Sequence, residues 1–245
     1  MMKILIVGAT SAIAQETAKH FAREQAELFL IARDKTKVEA VAADLIVRGA
    51  GHVASYPLDV THIDALHAAV QAAVTDLQGL DAVLIAHGSL SDQRACEDSV
   101  AETLQEFRIN CLSVIALLTI VANYFERQGT GCIAVISSVA GDRGRRSNYV
   151  YGAAKGAVSI FLEGLRSRLV RAGVSVVTIK PGFVDTPMTA HMKKNALFAT
   201  PEAVGKRIYE VIKHPRDVLY VPWFWRPVMS FLRHVPHRVY KQLPF

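Results

Sequence analysis

Three side chains in one short stretch have the chemistry of proton transfer to an oxygen atom: Ser138, Tyr151 and Lys155. If a helix begins near Tyr151, Lys155 lies one turn further along the same face, beside the phenol. A free tyrosine has a pKa of about 10, too high for an efficient acid or base at neutral pH, and a nearby cation lowers it. A serine at the end of a preceding strand can hydrogen-bond the same oxygen. This pattern predicts proton transfer to an oxygen while another group delivers a hydride.

Buried strands that alternate with helices must position this stretch. The first strand, residues 4–7, is a continuous apolar run typical of a parallel strand covered on both faces. Further strands are predicted at 27–32, before Leu58, and at 80–88, 133–136, 174–180 and 218–221. Helices are predicted to end near residue 23, to begin at Pro201, and to span 35–49, 61–77, 100–128 and 151–172. The alternation predicts an α/β fold, a Rossmann-type doubly wound parallel sheet, in a single domain spanning 1–245.

The spacing of the reactive residues resembles the short-chain dehydrogenase/reductase family, in which a serine precedes Tyr-x-x-x-Lys by thirteen residues. Ser138 stands thirteen residues before Tyr151, which favours it over Ser137. Tyr-x-x-x-Lys alone is a weak signal, because a surface helix places these residue types at that spacing by chance. The resemblance covers residues 3–222 with five motifs in the family's order, so chance is a poor explanation.

The resemblance implies an oxidoreductase that interconverts a ketone and a secondary alcohol with a nicotinamide cofactor. Tyr151 would exchange the proton of the oxygen, Ser138 would orient that oxygen, and Lys155 would lower the Tyr151 pKa and bind the nicotinamide ribose. Asn110 matches a helix asparagine that completes a proton relay through water to the lysine. The implied catalytic residues are therefore Asn110, Ser138, Tyr151 and Lys155.

The turn after the first strand resembles the family's loop for the cofactor pyrophosphate. Amides of such a turn and of the following helix N-terminus hold the phosphates. The family pattern is Gly-x-x-x-Gly-x-Gly; this chain keeps Gly8 and has Ala12 and Ala14 at the other two positions. Alanine is the smallest side chain with a Cβ, so a small shift is expected to accommodate it. The implied contacts in this loop are Gly8, Thr10, Ser11 and Ile13.

The end of the second strand bears on the choice of cofactor. Members that prefer NAD carry an acidic residue there, which binds the ribose 2′-hydroxyl, but here Ala32 is followed by Arg33. A guanidinium pairs well with a 2′-phosphate, so we expect NADP(H) to be preferred over NAD(H). The alternative is that Arg33 and Asp34 merely open the next helix.

Later strand ends imply the remaining cofactor contacts. Asp59 and Val60 match a family pair whose carboxylate contacts the adenine edge, although Asp59 before Thr61 also fits helix capping. The stretch 85–88 keeps only the glycine of the family's Asn-Asn-Ala-Gly, and its His87 is more often structural than catalytic at such a position. The implied contacts are Asp59, Val60, Ala86, Gly88, Tyr151, Lys155, Pro181, Gly182, Val184 and Thr186.

Residues 141–151 and the tail around 233–244 are similar to decaprenylphosphoryl-2-keto-ribose reductase-like members of the family. This resemblance implies a keto-sugar carried on a polyprenyl phosphate. The guanidinium group of arginine binds phosphate through paired hydrogen bonds. At least one of Arg143, Arg145 and Arg146 is therefore expected to contact an anionic substrate group. A solvated loop or a dimer contact explains these arginines as well. Residues 187–200 are the predicted substrate lid.

The net charge of +6 comes from the loop 142–146 and from residues 216–245. Residues 223–245 combine both tryptophans of the chain with four basic side chains, which favours peripheral contact with an anionic membrane surface. The alternative is that these aromatic residues cover the substrate pocket or a dimer edge. No nucleic-acid motif accompanies the charge, so we expect no nucleic-acid partner.

The remaining composition favours a cytoplasmic enzyme that associates, through its tail, with the inner membrane surface. The three cysteines fit a reduced compartment and have no metal-ligand spacing, so no metal is expected. No apolar run is expected to approach the ~20 residues of a membrane span. Family members usually dimerise through residues 115–118 and the helix 151–172, so we expect a homo-oligomer. Two rival classes remain: a cofactor-binding protein with little catalysis, and a membrane-surface interaction protein on this fold.

Overall fold

The computed structural model describes residues 1–190 and 192–243, and this part of the chain forms one seven-stranded parallel sheet. The strands, in chain order, are β1 (Lys3–Val7), β2 (Glu27–Ala32), β3 (His52–Pro57), β4 (Ala82–Ile85), β5 (Gly131–Ile136), β6 (Val174–Pro181) and β7 (Val218–Val221). Their spatial order is β3-β2-β1-β4-β5-β6-β7, so the sheet grows in opposite directions from β1 and β4. This order confirms the predicted doubly wound α/β fold.

Helices cover both faces of the sheet. They are α1 (Ala12–Ala22), α2 (Lys35–Val47), α3 (Leu66–Asp76), α4 (Gln93–Asp98), α5 (Val100–Phe107), α6 (Ser113–Gln128), α7 (Tyr149–Leu169), α8 (Pro201–Lys213), α9 (Trp225–His234) and α10 (His237–Tyr240). In β1, Ile4 and Ile6 pack in the core beneath α1, α2 and α8, whereas Leu5 and Val7 pack beneath α3, α6 and α7. The continuous apolar run of β1 follows from this two-sided burial.

The helix predicted over 100–128 is interrupted. A π-helical turn, Arg108–Leu112, separates α5 from α6 and brings Asn110 to the cavity described below. Such turns often occur at functional sites. The predicted first residues of two helices were also wrong. The helix predicted from residue 61 is preceded by a 3-10 turn, Ile63–Ala65, before α3 begins, and α7 begins at Tyr149 rather than Tyr151. Apolar periodicity places a helix but does not resolve its first turn or an extra residue inside it.

The helical stretch Val100–Gln128 is long and apolar enough to cross a membrane by length and composition alone. The expectation that no segment approaches this character was therefore wrong. Half of its most apolar window is buried inside the structure, where Leu117, Val121 and Phe125 pack against the sheet. A core helix of a folded domain can have the same composition, so burial in the fold accounts for part of its hydrophobicity.

The surfaces expected to form an oligomer are only partly available. Leu117 and Leu118 are completely buried against the sheet, as the alternative of simple burial predicts. Leu112 before α6 and Ile160 on α7 remain exposed at 50% and 70%. The homo-oligomer stays a prediction.

Candidate active site

The residues predicted for the cofactor and for catalysis converge on one cavity of about 590 Å³, a size typical of small-molecule sites. It extends along the carboxyl ends of the strands on both sides of the β1–β4 junction, where ligands bind in open α/β sheets. Every predicted catalytic and cofactor residue lines it: Gly8, Thr10, Ser11, Ile13, Arg33, Asp59, Val60, Ala86, Gly88, Asn110, Ser138, Tyr151, Lys155, Pro181, Gly182, Val184 and Thr186.

Two elements carry the central residues of this cavity. Helix α7 presents Tyr151 and Lys155 one turn apart, with the Lys155 Nζ 5.8 Å from the centre of the Tyr151 ring. Ser138 follows β5 and shares a hydrogen bond with the Tyr151 side chain. The Ser137 hydroxyl instead donates to the Lys155 carbonyl at 3.0 Å and so braces α7. Of the two serines, Ser138 is therefore the one coupled to the phenol.

The protonation of Tyr151 differs from the sequence-based expectation. Burial raises the pKa of the Tyr151 phenol to about 12; the hydrogen bond with Ser138 opposes this shift, and the charge of Glu106 adds to it. The expectation of a lowered pKa was therefore wrong, because desolvation of the buried phenolate is the largest influence on this pKa. At neutral pH Tyr151 keeps its proton and can donate it.

Lys155 is a buried cation beside the phenol, only 3% exposed. Its Nζ donates a hydrogen bond to the Ile136 carbonyl at 3.1 Å. Burial lowers the pKa of Lys155 to about 8, and the charge of Glu106 is the largest influence that opposes this shift. Lys155 is therefore still mainly an ammonium at neutral pH.

Asn110 is fully buried in the π-helical turn and is held by a network that the sequence did not reveal. Its Nδ2 donates to the Glu106 Oε1 at 2.7 Å and to the Ser89 Oγ at 3.0 Å. The Glu106 Oε2 accepts from the Ser89 hydroxyl at 2.8 Å and from the Ser91 hydroxyl. The sequence feature that could have indicated this network is a glutamate four residues before Asn110, on a helix face that must be buried.

His87 has a structural partner, as its position in the sequence favours. Its Nε2 lies 2.9 Å from the Ser113 Oγ. The Ser113 hydroxyl donates its hydrogen bond to the Ile109 carbonyl at 2.7 Å, so it accepts from the ring. Nε2 therefore carries the ring proton. Burial lowers the pKa of His87 to about 3, and the charge of Lys155 adds to this, so the ring is neutral. Its buried Nδ1 has no hydrogen-bond partner among the described residues.

The loop after β1 fits a dinucleotide pyrophosphate. Gly8 has a φ of +83°, and a Cβ there would lie 2.4 Å from the His87 backbone nitrogen, so this cradle requires glycine. Ala14 is completely buried on the face of α1 that packs against the sheet, so alanine is accommodated where the family has its third glycine. The unpartnered Nδ1 of His87, in the cavity wall, offers one further acceptor to a bound hydroxyl. The loop and this atom together fit a nicotinamide dinucleotide.

The far end of the cavity carries the residues predicted for the adenosine half. Arg33 is exposed at the end of β2, directly after the buried Ala32. Asp59 accepts hydrogen bonds from the Thr61 amide at 2.9 Å and the Thr61 hydroxyl at 2.8 Å, and the amide bond is the main cause that lowers its pKa. Asp59 thus stabilises a turn rather than capping α3, which starts at Leu66.

The arginine loop divides its three side chains between different surroundings. Arg145 lines the cavity, and its buried Nε has no hydrogen-bond partner among the described residues. The Arg143 guanidinium instead lies 3.7 Å from the centre of the Tyr240 ring in the tail, and Arg146 is exposed to solvent. Asn148 also lines the cavity, with a buried, unpartnered Oδ1. Arg145 is therefore the arginine available to a ligand.

The tail packs partly against the site. Trp225 and Met229 are buried in a cluster with Val139, and a Cβ on Gly182 would lie 1.9 Å from the Trp225 Nε1. This agrees with the alternative that tail aromatics cover the pocket wall. Other apolar side chains in the tail stay exposed, Trp223 at 77% and Phe231 at 72%.

The segment predicted as a substrate lid borders the cavity. Pro187, Met188, Thr189 and Met192 contribute to the lining. His191, within the predicted lid, and residues 244–245 of the predicted membrane tail lie outside the described residues. Within the described chain, no group of three or more His, Cys, Asp or Glu residues could hold a metal ion.

The chain is similar to known proteins in sequence and in fold. The sequence model of the family described as short chain dehydrogenase matches residues 2–197. The chain is 32% identical over 241 residues to an uncharacterized oxidoreductase of Mycobacterium tuberculosis, covering 98% of this chain and 96% of the relative.

Two solved structures share the fold at low sequence identity. One, described as ElxO with NADP bound, has a TM-score of 0.80 and 21% identity, and the match covers 90% of this chain and 97% of that one. The other, a short-chain type dehydrogenase/reductase from Mycobacterium ulcerans, has a TM-score of 0.81 and 19% identity, covering 94% and 97%.

Proposed function

The chain belongs to the short-chain dehydrogenase family, and on that premise we propose that it is an NADP(H)-dependent oxidoreductase that interconverts a ketone and a secondary alcohol. The observation that carries the proposal is the convergence of Ser138, Tyr151 and Lys155 in the wall of a cavity whose other end is built for a dinucleotide. A cofactor-binding protein without catalysis would not need a buried lysine beside a buried phenol, since both groups are costly to desolvate.

Each central residue has a distinct role in the proposed reaction. When bound, the nicotinamide supplies the hydride for reduction or accepts it in oxidation. Tyr151 donates its phenolic proton to the carbonyl oxygen during reduction and takes a proton back from the alcohol during oxidation. Ser138 hydrogen-bonds the same oxygen, and the Lys155 ammonium stabilises the phenolate that the transfer leaves. Asn110 would order the water through which Tyr151 and Lys155 recover a proton.

The proposed activity is tested by NADPH oxidation, followed by absorbance, against a panel of ketones and keto-sugars. Turnover of at least one member, with formation of the matching alcohol, would support the proposal. A protein that binds NADPH but oxidises it with no carbonyl compound would favour the rival class of a cofactor-binding protein.

For the substrate we propose a carbonyl compound with an anionic group, such as a keto-sugar on a polyprenyl phosphate. Arg145 supports an anionic group, because its unpartnered Nε can donate to a phosphate oxygen at the cavity wall. Asn148 supports a hydroxylated substrate, because its unpartnered Oδ1 can accept from a sugar hydroxyl. Both residues lie in the loop that leads into α7, close in sequence to Tyr151.

Arg145→Ala is expected to raise KM for a phosphorylated ketone by at least roughly tenfold, since a hydrogen bond to a charged group is worth about 1.5–3 kcal/mol. The KM for an uncharged ketone should change little. Arg146→Ala is the matched control, because Arg146 is the exposed neighbour. Equal effects of Arg145→Ala on charged and uncharged ketones would remove the anionic-group proposal.

We also propose that the tail contacts the cytoplasmic face of the inner membrane, where a lipid-linked substrate would be found. Trp223 and Phe231 are exposed, and the exposed basic residues around them are Arg226, Arg233, Arg238 and Lys241. Aromatic side chains beside basic ones favour binding to an anionic interface. The buried Trp225 and Met229 belong to the folded enzyme and would not take part.

The double variant Trp223→Ala, Phe231→Ala is expected to weaken co-sedimentation with anionic vesicles severalfold and to leave folding intact, because both side chains are exposed. Binding of the wild type should decrease with added salt. Val47→Ala, an exposed apolar residue of α2, is the control. A wild-type protein that stays in the supernatant with anionic lipid would contradict the membrane contact.

A further inference from the structure

Behind the wall of the cavity, Glu106 is a buried carboxylate that the proposed reaction does not use. It is 1% exposed and belongs to α5, next to the π-helical turn that carries Asn110. A carboxylate is almost never fully buried without partners, because loss of hydration is expensive. Its burial at this place therefore needs a reason beyond packing.

The hydrogen bonds of Glu106 show that both of its oxygens act as acceptors. Oε1 accepts from the Asn110 Nδ2 at 2.7 Å, and Oε2 accepts from the hydroxyls of Ser89, at 2.8 Å, and of Ser91. Three donors and no acceptor surround the group among the described residues, which is the environment of an ionised carboxylate. The network joins α5, the π-helical turn and the loop after β4.

The titratable groups around Glu106 come from several elements. Lys155 lies close to this network, because a Cβ on Gly88 would be 2.7 Å from the Asn110 Oδ1 and 3.4 Å from the Lys155 Nζ. The charge of Glu106 also influences the pKa values of Tyr151 and Lys155 in α7 and of Cys96 in α4. Around Lys155 itself, Cys111 lies in the π-helical turn and His87 follows β4 as a neutral ring. In this set Lys155 is the cation that an ionised Glu106 can stabilise.

We propose that Glu106 is a positioning residue of the active site: its carboxylate fixes Asn110 and supplies the buried negative charge that keeps Lys155 an ammonium. This inference rests on the proposed function, since it concerns the lysine that supports proton transfer and holds the cofactor ribose. Lys155 loses hydration on burial, and Glu106 restores part of the stabilisation of its charged form. Without Glu106, Lys155 should lose its proton at a lower pH.

The test measures the dissociation constant of NADPH, and kcat for reduction, as functions of pH in the wild type and in Glu106→Gln. The variant removes the charge and keeps the shape of the side chain. Affinity falls where Lys155 deprotonates, and we expect this alkaline fall to move to lower pH by about one unit or more in Glu106→Gln. The alkaline limb of kcat should move in the same direction.

Two controls separate positioning by charge from a purely structural role. Glu106→Asp keeps the charge and is expected to retain an alkaline fall near that of the wild type, even if it lowers thermal stability. Glu102→Gln removes an exposed charge from the same helix and should leave the profile unchanged. Coincident profiles for wild type and Glu106→Gln would overturn the inference. Because NADPH binding is measured directly, the comparison needs no known substrate and is independent of whether the proposed reaction is found.

Discussion

Tyr151→Phe is expected to reduce kcat for ketone reduction by about 10²–10⁴-fold, the usual contribution of a positioned general acid. The phenol keeps its proton at neutral pH, since burial raises its pKa to about 12. Phenylalanine fills the same space in the wall of the cavity, so the dissociation constant of NADPH should stay within about threefold of the wild type. Steady-state kinetics and fluorescence titration of NADPH on the same preparation measure both quantities.

Two further variants make this result specific. Tyr149→Phe removes a phenol from the same end of α7, where Tyr149 is 45% exposed, and should leave kcat unchanged. Lys155→Ala should reduce both turnover and NADPH affinity, because the proposed role of Lys155 includes the cofactor ribose. If Tyr151→Phe retains more than about a tenth of the wild-type kcat, the assignment of Tyr151 as proton donor is wrong.

Arg33 is expected to make NADPH bind at least about tenfold more tightly than NADH, from one charge-assisted pair worth about 1.5–3 kcal/mol. Arg33→Ala should remove most of this preference by weakening NADPH binding and leaving NADH binding nearly unchanged. The basis is its position: Arg33 follows Ala32 at the end of β2 and lines the cavity, with no acidic residue at the strand end.

Titration of NADPH and NADH against the wild type, Arg33→Ala and Lys35→Ala tests whether Arg33 causes the cofactor preference. Lys35 is a neighbouring basic residue that pairs with Glu39 on α2, so it controls for a general change in charge. Equal affinities of the wild type for NADPH and NADH would refute the role of Arg33. A preference that survives Arg33→Ala would locate it in another residue.

The fold could be predicted because its signals are local and repeated. Continuous apolar runs such as residues 4–7 indicate strands buried on both faces, and the intervening periodic segments indicate covering helices. The cofactor residues were instead implied by the resemblance to the family, and they meet in one cavity because strand ends in such a sheet lie along one edge. The starts of α3 and α7 and the π-helical turn at Arg108–Leu112 were missed, because single hydrogen bonds rather than periodicity decide them.

Features of the site that depend on three-dimensional burial could not be predicted. The raised pKa of Tyr151 reflects desolvation, which a spacing of four residues from Lys155 does not reveal. Glu106 reads as one more charged residue of a helix until its buried contacts with Asn110 and Ser89 are known. Likewise, only the packing of the tail separates Trp225, buried beside Gly182, from the exposed Trp223.

Transfer of deuterium from NADPH to a carbonyl substrate tests the proposed reaction most directly. The wild type is incubated with NADPH that carries deuterium at C4 of the nicotinamide, in one configuration or the other. Each reaction contains one member of a panel of keto-sugars and ketones, phosphorylated or neutral. The products are analysed by mass spectrometry. We predict an alcohol with one deuterium on the former carbonyl carbon from one of the two labelled cofactors, formed about 10²–10⁴-fold more slowly by Tyr151→Phe. A wild-type protein that binds NADPH and yields no deuterated alcohol from any member of the panel would contradict the proposed function.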